Sequence, residues 1–231
     1  MIWPRENIDC YGVEIMKVLI FAPHPDDEIL GCGGVISKHI KKGDEVSVCI
    51  VTSSLVEKAK KLNEEYAKKV HNAIGIANTI IWEYPTVELP HENTRKLTGS
   101  FNDLIQNYKP EVVYIPFYGD MHTDHYVVAS SAMVALRPIV APFVKAIYAY
   151  ETLSETGWNF PSADKAFIPN VFSDISDFID DKINAMKMYD TKIKEDPHPR
   201  SAEGIRALAK YRGGTIGVNY AEAFMCVRIL L

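Results

Sequence analysis

The sequence predicts an α/β fold: one domain built on a doubly wound, mostly parallel sheet with helices on both faces. Short continuous apolar runs recur along the chain, as strands buried on both faces require. Long segments of helical character separate them, which makes βαβ units. No repeat, low-complexity tract or linker interrupts the pattern, so the 231 residues read as one domain over 16–231.

The periodic pattern begins at Met16, and Met16 to Ala22 would itself make an ordinary protein start, so residues 1–15 read as an N-terminal extension. Val18 to Ala22 is the first buried strand and ends at Pro23. A helix is expected over 27–42, with Asp26 as N-cap and Gly43 just past its end. Val46 to Val51 makes a second strand, and 56–74 a charged helix closed by Gly75. Thr79 to Trp82 gives a third strand, 100–108 a helix stopping before Pro110, and Val112 to Ile115 a fourth strand. A helix over 124–136 leads to a fifth strand, Ala146 to Tyr150. The last third is less regular. Ile175, Phe178, Ile179, Ile183 and Met186 fall at helical spacing as a core-facing stripe. A helix over 202–212 and a closing strand from Ala223 to Leu230 complete the pattern.

Composition excludes several classes. A net charge of −5 argues against a nucleic-acid partner, which would call for a basic patch. No run of about 18 apolar residues offers a membrane span, and the first residues lack the layout of a signal peptide. The four cysteines, Cys10, Cys32, Cys49 and Cys226, form no Cys-x-x-Cys pair. They read as small buried hydrophobes in a reducing, cytoplasmic protein.

Parallel sheets of this kind bind ligands beyond the carboxyl ends of their strands. Two places put titratable groups there: Pro23-His24-Pro25-Asp26-Asp27-Glu28 after strand one, and Asp120-Met121-His122-Thr123-Asp124-His125 after strand four. Three of the seven histidines share these two segments with aspartates, which chance explains poorly. A catalytic zinc takes three protein ligands and keeps a position for water. His24 and Asp27 can converge on one ion, with either His125 or His122 as third ligand if strands one and four are neighbours. Glu28 suits a helix N-terminus for dipole reasons alone and reads as structural. His39 and His71 are expected on exposed helix faces, whereas His198, between two prolines, is a candidate to line a pocket.

Competing signatures fail. Gly31-Cys32-Gly33-Gly34 begins like a dinucleotide fingerprint but lies past the turn and meets Ile36 where a glycine belongs; close approach of helix to sheet explains it better. There is no phosphate-binding loop, nucleophile elbow or His-Glu-x-x-His motif.

The run from Phe21 to Glu28, with Gly31 and Gly33-Gly34 after it, resembles the first signature of the LmbE/PIG-L family of zinc-dependent deacetylases of N-acetylglucosamine-type compounds. His122-Thr123-Asp124-His125 is similar to the family's His-Pro-Asp-His, with Thr123 in place of proline. Tyr220-Ala221-Glu222-Ala223-Phe224 is similar to its C-terminal Ala-Glu-x-Phe. The resemblance implies a Rossmann-like fold and one Zn2+ per chain, held by His24, Asp27 and His125. It further implies Asp26 as general base, His122 as oxyanion stabiliser and Asp124 as the carboxylate that orients and charges a site histidine. The implied partner is a small-molecule amino sugar, and relatives of this kind often form homo-oligomers. Many members carry a substrate-contacting arginine in the second helix, where this chain has Lys58, Lys60, Lys61, Lys68 and Lys69. Loops after strands therefore supply the sugar-contact candidates Arg95, Glu151 and Trp158, with His198 to Ser201 as a further rim loop. The alternative activity is zinc-dependent hydrolysis of a different amide or an ester.

Overall fold

The computed structural model describes residues 15–230; the expected extension, Ile15 aside, and Cys10 lie outside them. Seven strands and six α-helices alternate: β1 (Lys17–Ala22), α1 (Asp27–Lys42), β2 (Glu45–Ser53), α2 (Glu57–Ile74), β3 (Asn78–Pro85), α3 (Thr94–Tyr108), β4 (Val112–Pro116), α4 (Thr123–Ala135), β5 (Ala146–Tyr150), β6 (Val171–Asp174), α5 (Ile179–Met188), α6 (Ala202–Gly214) and β7 (Ala221–Ile229). They form one sheet of order β3-β2-β1-β4-β5-β7-β6. The first five strands in that order run parallel, and β7 is antiparallel to both β5 and β6. No helix among the described residues is long and apolar enough to cross a membrane.

The period of two along a strand divides the core. Val18, Ile20 and Ala22 of β1 meet Ile29 and Ile36 of α1, Val70 of α2, Ile183 of α5 and Ile205 of α6 on one face. Leu19 and Phe21 meet Phe101 and Ile105 of α3 and Val128 of α4 on the other. Covering both faces is what allows the continuous apolar runs read in the sequence.

Several elements differ from expectation: α5 begins only at Ile179, after Ile175 and Phe178 of the expected stripe, and β3 runs on to Pro85. Helix α3 starts at Thr94, because Asn93 caps it by accepting the Lys96 N–H (3.0 Å) and Leu97 extends the Phe101–Ile105 stripe by one turn. Strand β6 is four residues long and only partly buried, too short for a periodic signal.

The glycines of α1 bring helix and sheet together as expected, and also seat a neighbouring segment. A side chain at Gly31 would overlap the Tyr150 ring of β5, and one at Gly34 would strike Ile175. Beside them, Glu222 of β7 accepts the Gly34 N–H (2.8 Å) and the Val35 N–H (2.7 Å). Lys182 donates to Glu222 Oε1 (2.6 Å) and to the Leu30 carbonyl (2.8 Å). This buried clasp ties α1 to α5 and β7, and each ion has the partners that burial demands.

Two histidines are not on exposed faces. His71 is fully buried, bonded to Glu28 and Thr79. The His39 ring is largely covered: its Nδ1–H donates to the Asp44 carboxylate (2.6 Å), and its Nε2 meets Tyr114 Oη at 3.1 Å. In both cases a polar partner distant in sequence draws the imidazole inward. Cys32 and Cys49 are buried thiols whose affinity for a proton is pushed up by burial; Cys226 is half-buried.

Candidate active site

Strands β1 and β4 pair directly, Val18 to Ile20 against Val112 to Tyr114. Their carboxyl ends flank the switch point of the sheet, where a cleft opens. Thr52 of β2 fixes the turn after β1 by donating both its N–H (3.0 Å) and its hydroxyl (2.8 Å) to the Pro23 carbonyl. The turn after β4 ends in His122, which caps α4 by accepting the Asp124 N–H on Nδ1 (3.2 Å).

The two turns bring His24, Asp27 and His125 together. Asp27 Oδ2 lies 3.2 Å from His24 Nδ1 and 3.2 Å from His125 Nε2. A carboxylate holds the far side of each ring: His24 Nε2 donates to Asp124 Oδ2 (3.0 Å), and His125 Nδ1 donates to Asp120 Oδ2 (2.8 Å). Those bonds set the tautomers and leave His24 Nδ1 and His125 Nε2 turned toward Asp27. His125 Nε2 is buried without a hydrogen-bond partner, so the trio fits a shared divalent ion. A second trio, His24, His122 and Asp124, is also close enough to bind one. Its atoms are more committed: His24 Nε2 donates to Asp124 Oδ2, which also accepts the Val87 N–H (2.8 Å), and His122 Nδ1 serves the cap, which leaves Asp124 Oδ1 and His122 Nε2 as the atoms those two residues could offer.

The electrostatics follow from burial and these pairs. Burial opposes ionisation of Asp27, but the His125 and His24 rings override it and hold its carboxyl well below the usual range. Burial likewise opposes charge on His125, and Asp27 and Asp120 raise it well above an ordinary histidine. His122 is lowered to about 4, first by burial and then by repulsion from His24. With Nδ1 accepting the cap bond, its ring proton belongs on Nε2. Asp124 orients His24 more closely than His122, whose Nδ1 is 3.7 Å from its carboxylate.

Asp26 stands apart from the trio. It occupies the N-cap of α1 at φ 115°, ψ −25°, and its side chain makes no capping bond. The carboxylate instead faces Arg200 Nη1 (3.3 Å) and Lys192 Nζ (3.5 Å). Burial pushes it up to about 6, the cations Lys192 and Arg200 pulling down while Asp27 and Glu28 add to the rise. A carboxylate that titrates near neutrality can take up and return a proton.

The cleft encloses about 490 Å³, within the range of small-ligand sites. His24, Asp26, Asp27 and His122 share its lining with Lys60, Asn63, Glu64, Glu155, Lys192 and Arg200. Four non-glycine residues among those described have positive φ, and three of them, Asp26, Val87 and Ser154, line this cleft. Such outliers concentrate where surrounding structure over-determines a functional geometry.

The sugar-contact candidates fall elsewhere. Arg95 is exposed in the first turn of α3 and lines neither this cleft nor the cavity beside it; β3 runs on to Pro85, so Thr86 and Val87 reach the cleft instead. Glu151 is engaged by Arg212 through Nε (2.8 Å) and Nη2 (2.6 Å). It lines, with Trp158, a neighbouring cavity of about 530 Å³ that shares Leu153 and Ser154 with the cleft. His198 lines neither cavity; its ring is steeply inclined to that of Trp158, the ring centres 5.5 Å apart. Sequence reasoning assigned no role to Asp120, Lys192 or Glu155. Asp120 carried a signal, five residues before His125 in the second polar segment.

A switch-point cleft that holds a His/Asp trio close enough to share an ion, with the Asp26 carboxylate beside it, has the layout of a hydrolytic site. Residues 19–136, just over half of the chain, match the family described as PIG-L, GlcNAc-PI de-N-acetylase, and the chain belongs to that family. Diacetylchitobiose deacetylase of Thermococcus kodakarensis is 26% identical over 93% of this chain and 84% of its own length. The crystal structure of the conserved protein TT1542 from Thermus thermophilus superposes with a TM-score of 0.76 at 25% identity, covering 94% of this chain and 97% of that one. The N,N'-diacetylchitobiose deacetylase of Pyrococcus horikoshii shares the fold at a TM-score of 0.73 and 22% identity, over 92% and 84% of the two chains. The family and its relatives are deacetylases, hydrolases of amide C–N bonds, and this chain is an enzyme of that class.

Proposed function

We propose that the chain is a zinc-dependent de-N-acetylase that hydrolyses the acetamide of an N-acetylhexosamine glycoside or conjugate, releasing acetate and the free amine. The observation that carries this reading is the pairing, in one cleft, of an unpartnered buried imidazole nitrogen facing Asp27 with an Asp26 carboxylate released from capping. The substrate class is supported by the N-acetylated sugars named for the relatives.

His24, Asp27 and His125 would hold the ion, which when bound acidifies water and polarises a carbonyl. Asp26 accepts the proton of the attacking water, and its geometry leaves both oxygens free of the helix backbone. His122 donates its Nε2–H to the developing oxyanion. Because Nδ1 is committed to the cap, it does so as a neutral ring. The proton then passes from Asp26 to the leaving amine. Lys60, Asn63 and Glu64 of α2, which line the cleft, supply polar contacts for sugar hydroxyls. Trp158, and Glu151 through its pair with Arg212, would meet a substituent that reaches the neighbouring cavity. A cytoplasmic setting and a homo-oligomer are part of this proposal.

Acetate release from a panel of N-acetylglucosamine glycosides, with and without chelator, tests the reading. Chelator-sensitive acetate is expected from at least one member. Zinc-loaded protein that releases none from any member would overturn the N-acetylhexosamine assignment.

A further inference from the structure

The turn carrying Asp26 is held from behind by a buried network whose own side chains, those of Glu28, His71, Thr79 and Tyr189, line no part of the cleft. Glu28, fully buried in the first turn of α1, accepts the Asp26 N–H on Oε2 (3.1 Å). Its Oε1 accepts the Tyr189 hydroxyl (2.7 Å) and the His71 Nε2–H (3.2 Å). His71 Nδ1 in turn meets Thr79 Oγ1 at 2.9 Å; as Nε2 donates to a carboxylate, Nδ1 accepts the threonine proton. The Glu28 side chain therefore joins the start of α1 to α2 and to the residue following α5, and β3 is linked to it through His71.

An aspartate at an N-cap ordinarily adopts extended backbone and uses its carboxylate to accept an N–H of the first turn. Asp26 does neither. Its left-handed backbone is strained and persists only when neighbours impose it. Its backbone N–H makes one hydrogen bond among the described residues, donated to Glu28 Oε2. A dipole role for Glu28 would need no histidine, tyrosine or threonine to steady it. The network makes sense as a clamp that fixes the rotation of the Asp26 peptide.

We propose that Glu28, steadied by His71 and Tyr189, is the positioning residue for the Asp26 carboxylate: it holds Asp26 in the left-handed cap that keeps the base off the helix and over the reacting water. This rests on the reading of Asp26 as general base.

The test uses the zinc-loaded full chain, with acetate release from the best substrate of the panel. Glu28→Met keeps side-chain length but offers no acceptor. It is expected to lower kcat about 10- to 100-fold, as misplaced catalytic groups do, with KM and zinc content within twofold of wild type. Glu28→Gln, whose carbonyl can still accept the Asp26 N–H, should recover most of that loss. In an Asp26→Asn background, Glu28→Met should add no further loss, because its effect runs through the missing carboxylate. Full activity of Asp26→Asn alone would overturn the base assignment. A strongly impaired but measurable Asp26→Asn beside a Glu28→Met that turns over normally, or that costs the same factor in both backgrounds, would overturn the positioning role. Should Glu28→Met not fold, Tyr189→Phe takes its place: a fall in kcat of several-fold at constant KM supports the clamp, and an unchanged kcat overturns it.

Discussion

The two turns that build the cleft open their helices by different means. After β4, His122 caps α4 in extended backbone (φ −74°, ψ 125°) and its own ring accepts the Asp124 N–H. After β1, Asp26 caps α1 at φ 115° with its side chain unused by the helix. The first arrangement is relaxed, and the cap bond doubles as a device that fixes a tautomer. The second is strained and needs an external clamp. The difference tracks what each side chain is asked to do. A donor can serve the backbone with one ring nitrogen and the substrate with the other, whereas a base whose carboxylate caps a helix has already spent its acceptor.

Replacing the strained residue should therefore separate stability from catalysis. Asp26→Gly removes the base and is expected to cost about 10²–10⁴-fold in kcat. Glycine adopts positive φ readily, so relief of about 1–3 kcal/mol of strain outweighs its extra backbone entropy of about 0.5–1 kcal/mol. Lys192 and Arg200 lose a partner but remain partly solvated. Denaturant unfolding should find the variant at least as stable as wild type. A marked loss of stability would mean that the turn is not strained and that the contrast with His122 is empty.

His122 offers the converse experiment. His122→Asn keeps a good capping side chain and deletes the Nε2 donor. The expected loss is about 10²–10³-fold in kcat, the scale of one oxyanion donor, with unfolding unchanged within about 0.5 kcal/mol. Should stability fall with activity, the ring's place in packing, rather than its proton, would account for the effect.

Both turns were legible in the sequence because their chemistry is local. Polar residues directly after apolar strands announce a switch-point site, and the direct pairing of β1 with β4 supplies the adjacency that His125 needs. What surrounds the turns was not legible. His71 sits in a helix dense with lysine and glutamate, so nothing nearby marks it as buried; its partner Glu28 is 43 residues away. Lys192 and Arg200 come from an irregular segment between α5 and α6 that carries no period. Arg95 shows the same limit in reverse: a residue read as part of a rim loop is in a helix, because Asn93 caps α3 earlier than the stripe first suggested. Glu222 belongs to the tail that resembles the family pattern, yet only the fold reveals it as a clasp on the middle of α1.

The relaxed turn also contains the support for a ligand, and this yields the smallest expected effect. Asp120 Oδ2 fixes the His125 tautomer, while its Oδ1 accepts the Thr156 hydroxyl. Asp120→Asn can preserve both contacts, its carbonyl oxygen facing His125 and its amide facing Thr156, but it removes the charge that raises the basicity of the ring. Partners of this kind are worth about 10–100-fold in metal affinity, and a variant that retains geometry belongs at the lower end. Competition with a chromogenic chelator should show zinc bound about 10-fold more weakly, with kcat of the metal-saturated enzyme within a few-fold of wild type because Asp26 and His122 are untouched. An unchanged zinc affinity would show that His125 does not depend on Asp120. It would also favour the second trio, in which His24, His122 and Asp124 hold the ion without His125.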